Sequence, residues 1–329
     1  MFTGVTTYTQ APGAEARSPQ PRALIVTIYG LYARAAGGWL SVASLIRLMA
    51  ELGADEPAVR SAISRLKQHG VLEPRREGGA AGYALSARGR DILAEGDRRI
   101  FDRPRAALAD GWLLAVFSVP ESERGRRHTL RSRLAWLGFG TVSAGLWIAP
   151  AHLANETTEV LERYELAGYV DLFRAEYLAF GDVREQVGRW WDLDRLEQLY
   201  QAFLDSCGPV LGRWDRRSTT PSPGPGPGSG PGPGPGSGPG PGPGSGPGSG
   251  PGSGPGTGDE GEAFGDYVRA LTAWRRLPYL DPGLPPELLP PNWHGLRAAE
   301  AFGVLRDRLA GPARAHVLAV TGPPIVASR

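Results

Sequence analysis

Apolar positions recur at helical spacing from the start of the ordered-looking sequence. From Arg22 to Ala36, Leu24, Ile28, Leu31 and Tyr32 fall on one side, and Gly37-Gly38 ends the run. Trp39-Leu40 is a short extended link. Ser41 is an N-cap residue type, and Val42, Leu45, Ile46 and Met49 predict a second helix over about 41–52, stopped by Gly53. Asp55 and Pro57 open a third helix over about 56–69. It turns Val59, Ala62, Ile63 and Leu66 inward. Its opposite face carries Arg60, Ser61, Ser64, Arg65 and Gln68, with Lys67 at the flank. After Gly70, Val71-Leu72 starts a strand, Arg75-Arg76-Glu77-Gly78-Gly79 makes a tip, and Tyr83-Ala84-Leu85 returns. Ser86 caps a further helix to about Ile100.

A different pattern begins at Trp112. Trp112–Val119 reads as a continuous apolar strand, and residues 122–137 as an Arg-rich amphipathic helix with Leu130, Leu134 and Leu137 inward. Thr141–Ala144 and Gly145–Ala149 read as two short strands. Pro150 opens a helix to about Ala167, and Tyr169–Phe180 reads as a last strand. The order β-α-β-β-α-β is the ferredoxin-like arrangement, with two helices on one sheet face. Helical spacing returns from Asp182 to Phe203, through Trp190, Leu193, Leu196 and Tyr200. Beyond the low-complexity stretch, Phe264, Tyr267, Val268, Leu271 and Trp274 form one helical stripe. A proline-rich segment over 277–293 is full of large apolar residues, so it wraps against a core. A final helix is predicted over about Leu296–Leu309.

The expected fold is therefore α+β and multidomain. Residues 1–20 read as a disordered tail, and 21–105 as a winged helix-turn-helix DNA-binding domain. A ferredoxin-like domain is expected over 106–181. A mainly α-helical C-terminal domain is split between 182–218 and 262–321 by a Pro/Gly/Ser-rich disordered linker over 219–261. Within that linker, residues 221–258 hold only Pro, Gly, Ser and Thr, a composition that buries no core. Glycine falls mostly at every second position, which excludes collagen.

Charge changes the picture only locally. The net charge of the 329 residues is +2, but residues 1–105 carry 15 Arg plus Lys against 10 Asp plus Glu. Lys67 is the only lysine, so the preference for Arg is a property of the whole chain. The single cysteine, Cys207, excludes an internal disulfide and a cysteine-based zinc site. The first twenty residues lack an apolar core of the signal-peptide kind, and no run of about 18 apolar residues occurs. A soluble, cytoplasmic protein is expected. His69, His128, His152, His294 and His316 are scattered without metal spacing. Phosphate-cradling glycine loops and nucleophile elbows are absent, so neither cofactor nor catalytic residue is assigned.

Double-stranded DNA is the expected partner. Arg60, Ser61, Ser64 and Arg65 are placed to reach base edges, Lys67 and Gln68 to anchor phosphates, and Arg75 and Arg76 to touch phosphate or the minor groove. The Arg124, Arg126, Arg127, Arg131 and Arg133 set could hold a DNA backbone or an acidic ligand. It could equally be a solvated face beside Glu121 and Glu123. Trp274, Arg275, Arg276, Tyr279 and Trp293 could stack an aromatic acyl group and hold phosphates, or could be an aromatic core with surface arginines.

Several blocks, in order, carry a resemblance. They are Pro21-Arg22-Ala23-Leu24; Val59 through Leu66; Gly70-Val71-Leu72; Trp112 through Glu121; Leu137-Gly138-Phe139-Gly140; Gly145-Leu146-Trp147-Ile148; Trp274-Arg275-Arg276; Leu280-Asp281-Pro282; and Leu284-Pro285 through Trp293. In these the chain resembles the PaaX family of bacterial transcriptional repressors, over about residues 21–212 and 262–321. The resemblance implies a homodimer on a palindromic operator, released by an aryl-CoA thioester such as phenylacetyl-CoA. It implies a middle domain like the small ferredoxin-like CRISPR nucleases, which keep an aspartate at the end of the first strand. Here that place is Ser118-Val119-Pro120, and the long Pro-Gly insertion also departs from the family pattern. A nucleic-acid-processing enzyme and a winged-helix protein-interaction module are the alternatives.

Overall fold

The computed structural model describes residues 20–101, 105–178, 180–219 and 257–322. Nearly all of the tail and most of the Pro/Gly/Ser stretch lie outside the described residues.

Helix α1 (Pro21–Ile28) continues through a π-helical turn over Tyr29–Ala33 and a 3-10 turn to Ala36. Strand β1 (Trp39–Ser41) leads into α2 (Val42–Glu51), capped by the Ser41 hydroxyl, which accepts from the Ser44 N–H. Helix α3 (Glu56–Gln68) follows after a short turn. The Asp55 carboxylate accepts from the Ala58 N–H, and Pro57 sits where no intrahelical partner is needed. Strands β2 (Leu72–Glu77) and β3 (Ala80–Leu85) form a hairpin. Strand β1 pairs on its far side, giving an antiparallel sheet in the order β1-β3-β2. Helix α4 (Ala87–Phe101) leads away from it.

The second sheet is also antiparallel, in the order β5-β6-β4-β7. It comprises β4 (Trp112–Phe117), β5 (Gly140–Ser143), β6 (Leu146–Pro150) and β7 (Val170–Ala175), with α5 (Arg124–Leu137) and α6 (Ala154–Arg163) between. Alternation decides its faces. Leu113, Ala115 and Phe117 join Leu130, Leu134, Leu137, Val160 and Leu161 in one buried cluster. Val116 and Phe173 on the other face are exposed, while Trp112 at its far end packs against Trp190 and Trp191. Three sequence expectations shift here. Strand β4 stops at Phe117, ahead of Pro120. Pro150 ends β6 opposite Trp112, and α6 begins only after a 3-10 turn over Ala151–Leu153. Strand β7 stops at Ala175, and Phe180 is fully exposed at positive φ.

Helices α7 (Val183–Trp190), α8 (Leu193–Thr219), α9 (Thr257–Trp274), the short α10 (Leu277–Leu280) and α11 (His294–Thr321) complete the chain. Both α8 and α11 run through an internal proline, Pro209 and Pro312, and extend well beyond the spans read from sequence. Helix α9 starts at Thr257, inside the stretch read as linker.

The largest buried cluster is continuous from Leu24, Leu45 and Leu66 to Phe264, Trp274, Phe302 and Val317. Residues 24–85 and the last helices thus share one core. Thr27 and Thr272 exchange a buried hydrogen bond of 2.8 Å, and Tyr32 lies against Phe264. Arg213 and Arg217 in α8 pair with Glu262 in α9, and the Trp214 indole donates to Asp266, so the helices flanking the Pro-Gly insertion are tied side by side.

Candidate nucleic-acid interface

Helix α3 buries Val59, Ala62, Ile63 and Leu66, each worth about 1–3 kcal/mol, and so presents its other face outward. Arg60, Ser61, Ser64, Arg65, Lys67 and Gln68 are all exposed there. Two of the arginines are held within the helix. Arg60 pairs with Glu56 one turn earlier at 2.6 Å, and Arg65 donates to the Ser61 hydroxyl at 3.1 Å. Both bonds are local and solvent-facing, so a phosphate or a guanine edge can displace them at little cost.

The β2–β3 hairpin belongs to the same sheet-and-helix unit, with β2 packed against α3. Arg75 pairs with Glu77, and Arg76 donates to the Gly79 carbonyl; both arginines are exposed. The tip is braced from below. The Trp39 indole donates to the Arg75 carbonyl at 3.1 Å and covers Gly82 across the sheet. The sequence gives Trp39 no role beyond a link. Its signal is an indole on β1 that reaches over a glycine two residues from its own partner, Ala84, on β3.

The Arg-rich helix α5 is largely satisfied within the chain. Arg124 and Arg127 both reach Glu121, and Arg126 reaches Glu123 and Glu165. Those two bonds hold the exposed Glu121 carboxyl below its ordinary value. Arg133 instead lies over the Tyr164 ring at 3.9 Å, where burial pulls its guanidinium down from the usual range.

The second candidate set is divided by the structure. Trp274 is buried, stacked on Phe302 at 5.0 Å and beside Phe203 and Tyr200. Trp293 is buried edge-on to Tyr200. The remaining three lie nearer the surface. Arg275 donates to the Ala23 carbonyl of α1, Arg276 is exposed, and Tyr279 is half-buried beside Trp136. Burial pushes the Tyr279 hydroxyl up to about 12. The aromatic character of this set was legible, but the partners Tyr200, Phe203 and Phe302 are too distant in sequence to be matched by spacing.

Other chemistry is sparse. Cys207 is buried, and its thiol is pushed up to about 11 by that burial. Among the described residues no cluster of three His, Cys, Asp or Glu side chains could hold a metal ion, and no helix is long and apolar enough to cross a membrane.

Three family models match the chain. Residues 20–89 match the family model described as PaaX-like protein, 105–187 that of the PaaX protein central Cas2-like domain, and 254–319 that of the PaaX-like protein C-terminal domain. The chain is 25% identical over 300 residues to the transcriptional repressor PaaX of Escherichia coli (strain K12), covering 89% of this chain and 82% of that protein. It also resembles in fold an uncharacterised protein from Mycobacterium tuberculosis. That TM-score is 0.54 at 20% identity, over 91% of this chain and 99% of that one.

Proposed function

Because this chain belongs to the PaaX family, we propose that it is a DNA-binding transcriptional repressor whose exposed α3 face enters the major groove. The single observation that carries the reading is that face: six polar side chains, three of them cationic, all solvent-exposed on a helix anchored by four buried apolar residues. Two further features support a winged helix-turn-helix. Helices α2 and α3 are joined by a tight turn at Gly53, and the β2–β3 hairpin projects a basic tip from a three-stranded sheet. The β5-β6-β4-β7 order supports a ferredoxin-like middle domain, because each crossover helix then joins strands separated by one neighbour.

In this reading two copies bind half-sites one helical turn, or a multiple, apart. Arg60, Ser61, Ser64 and Arg65 read bases, while Lys67, Gln68, Arg75 and Arg76 set register on the backbone. An aryl-CoA effector such as phenylacetyl-CoA releases the repressor by favouring a geometry of the heads that no longer matches the half-site spacing. With Trp274 and Trp293 in the core, effector contact within the candidate set falls to Arg275, Arg276 and Tyr279. Arg275 reaches α1, and Tyr279 lies against Gly96 of α4. A ligand there would push on the head itself.

The test is a mobility shift on the promoter upstream of this protein's own gene. Arg65→Ala costs about 1–3 kcal/mol of specific binding and much less on random DNA. Equal loss on both rejects base reading by Arg65. Phenylacetyl-CoA releases the wild-type complex; unchanged binding at saturating effector removes that ligand from the account.

A further inference from the structure

The last turn of α4 is where the three parts of the chain meet. Arg99 is 8% exposed and touches all of them. Its Nε pairs with Glu156 of α6 at 3.0 Å. Its Nη1 donates to the Trp136 carbonyl at 2.7 Å. That carbonyl is in the last turn of α5, where helix geometry leaves it without an intrahelical partner. The guanidinium carbon lies 4.3 Å from the centre of the Trp136 ring and 5.5 Å from the centre of the Tyr279 ring of α10. One side chain on the helix leaving the DNA-binding head therefore grips the middle unit by two hydrogen bonds and sits beside Tyr279 of the C-terminal unit.

Neighbouring contacts repeat the pattern. Glu95, one turn earlier on α4, pairs with Arg163 at the other end of α6. The two ion pairs run in opposite chain directions and carry opposite signs, which fixes both register and polarity of α4 on α6. Gly96 between them lets the Tyr279 hydroxyl come within 3.2 Å of where a Cβ would stand. The following residues close the joint from the other side. The Ile100 carbonyl accepts from the Trp274 indole, and Phe101 lies beside Phe302.

We propose that Arg99 is a positioning residue: it sets the orientation of the middle unit against the head and the last helices packed on it, and through it the half-site spacing that a pair of heads can read. The proposal rests on the repressor function above for its DNA consequence, but not for the joint itself. Physical chemistry makes arginine specific here. A lysine keeps the charge but has neither the planar fork that serves Glu156 and the Trp136 carbonyl together nor a delocalised cation to set over the Trp136 ring. The Nη2 of Arg99 has no hydrogen-bond partner among the described residues. The joint is thus a buried cation incompletely satisfied, and so sensitive to small displacement.

Two measurements on the full chain test this, each with Arg99→Lys and Glu156→Gln. In the first, spin labels at Ala43→Cys on α2 and Ser143→Cys on β5, both exposed positions, report the head-to-middle distance. Buried Cys207 stays unlabelled. The wild-type distribution is narrow, and Arg99→Lys broadens it while thermal unfolding remains cooperative. In the second, affinity for a two-half-site promoter fragment falls about tenfold, while affinity for a single half-site stays within about twofold. An unchanged distance distribution overturns the proposal. So does an equal loss on full and half sites, which would mean that Arg99 only stabilises the head. If the wild type fails to distinguish promoter from random DNA while the distances still broaden, the repressor function falls and the joint stands.

Discussion

Gly82→Ala isolates the brace under the basic hairpin. Gly82 lies in β3, opposite Ser41 on one side and Arg75 on the other. A Cβ there would stand 2.5 Å from two atoms of the Trp39 indole and closer still to the Leu40 carbonyl oxygen. Contacts between heavy atoms are favourable only near 3.5–4.0 Å, so the indole must retreat by about 1 Å and the β1 backbone must move with it. Overpacking of this kind costs about 1–3 kcal/mol. Retreat also breaks the 3.1 Å bond from the indole to the Arg75 carbonyl, worth about 0.5–1.5 kcal/mol. The expected loss is about 2–4 kcal/mol in urea unfolding. Gly303→Ala is the control. It lies inside α11 with no atom within 4 Å of the added methyl, and it gains about 0.5–1 kcal/mol from helix propensity. A Gly82→Ala stability within about 0.5 kcal/mol of wild type would refute the brace.

Two further outcomes follow from the same contacts. Burial raises the Glu95 carboxyl above its ordinary value, against a smaller lowering by Arg163 and Arg99. Between the ordinary and the raised value the folded chain holds a proton that the unfolded chain has released, so this group adds stability as pH falls through that window and loses it as pH rises. Glu95→Gln removes the dependence, and urea midpoints across the acid range check it; a wild-type-to-variant difference independent of pH contradicts it. Replacing residues 221–255 by a turn of about five residues stabilises the chain by up to about 2 kcal/mol, since the flanking helices are already tied and a shorter closed loop costs less entropy. A loss of stability on that replacement would mean the insertion makes contacts of its own.

Helix α3 was legible because local signals agree with packing. The Asp55 cap, Pro57 in the first turn and the spacing of Val59, Ala62, Ile63 and Leu66 all point to one helix with one buried face. The strand sequence of the middle unit was legible for the same reason, to within a few residues at each end. The misses share a cause. Gly208-Pro209 and Gly311-Pro312 carry strong local stop signals, yet α8 and α11 run through them; Cys207 and Ala313 beside them are buried in the shared core. Tertiary burial outweighs a local propensity of a few kcal/mol. The π-helical turn at Tyr29 is likewise tertiary, with the buried ring's hydroxyl donating to the Tyr83 carbonyl. Most of the contacts that couple the head to the last helices, such as Thr27 to Thr272 and Trp274 to Ile100, join residues more than 170 positions apart, beyond any periodicity. Arg99 looked like one more arginine in an arginine-rich chain. Only its burial and its three partners distinguish it.

Salt dependence tests the central claim most directly. Arg60, Arg65, Lys67, Arg75 and Arg76 are all exposed on the N-terminal unit, and cations that meet phosphates release condensed counterions. Affinity for the promoter fragment should therefore fall with a log–log slope of about −3 or steeper. A flat response, with the protein folded, would mean that this arginine-bearing face meets something other than a nucleic-acid backbone.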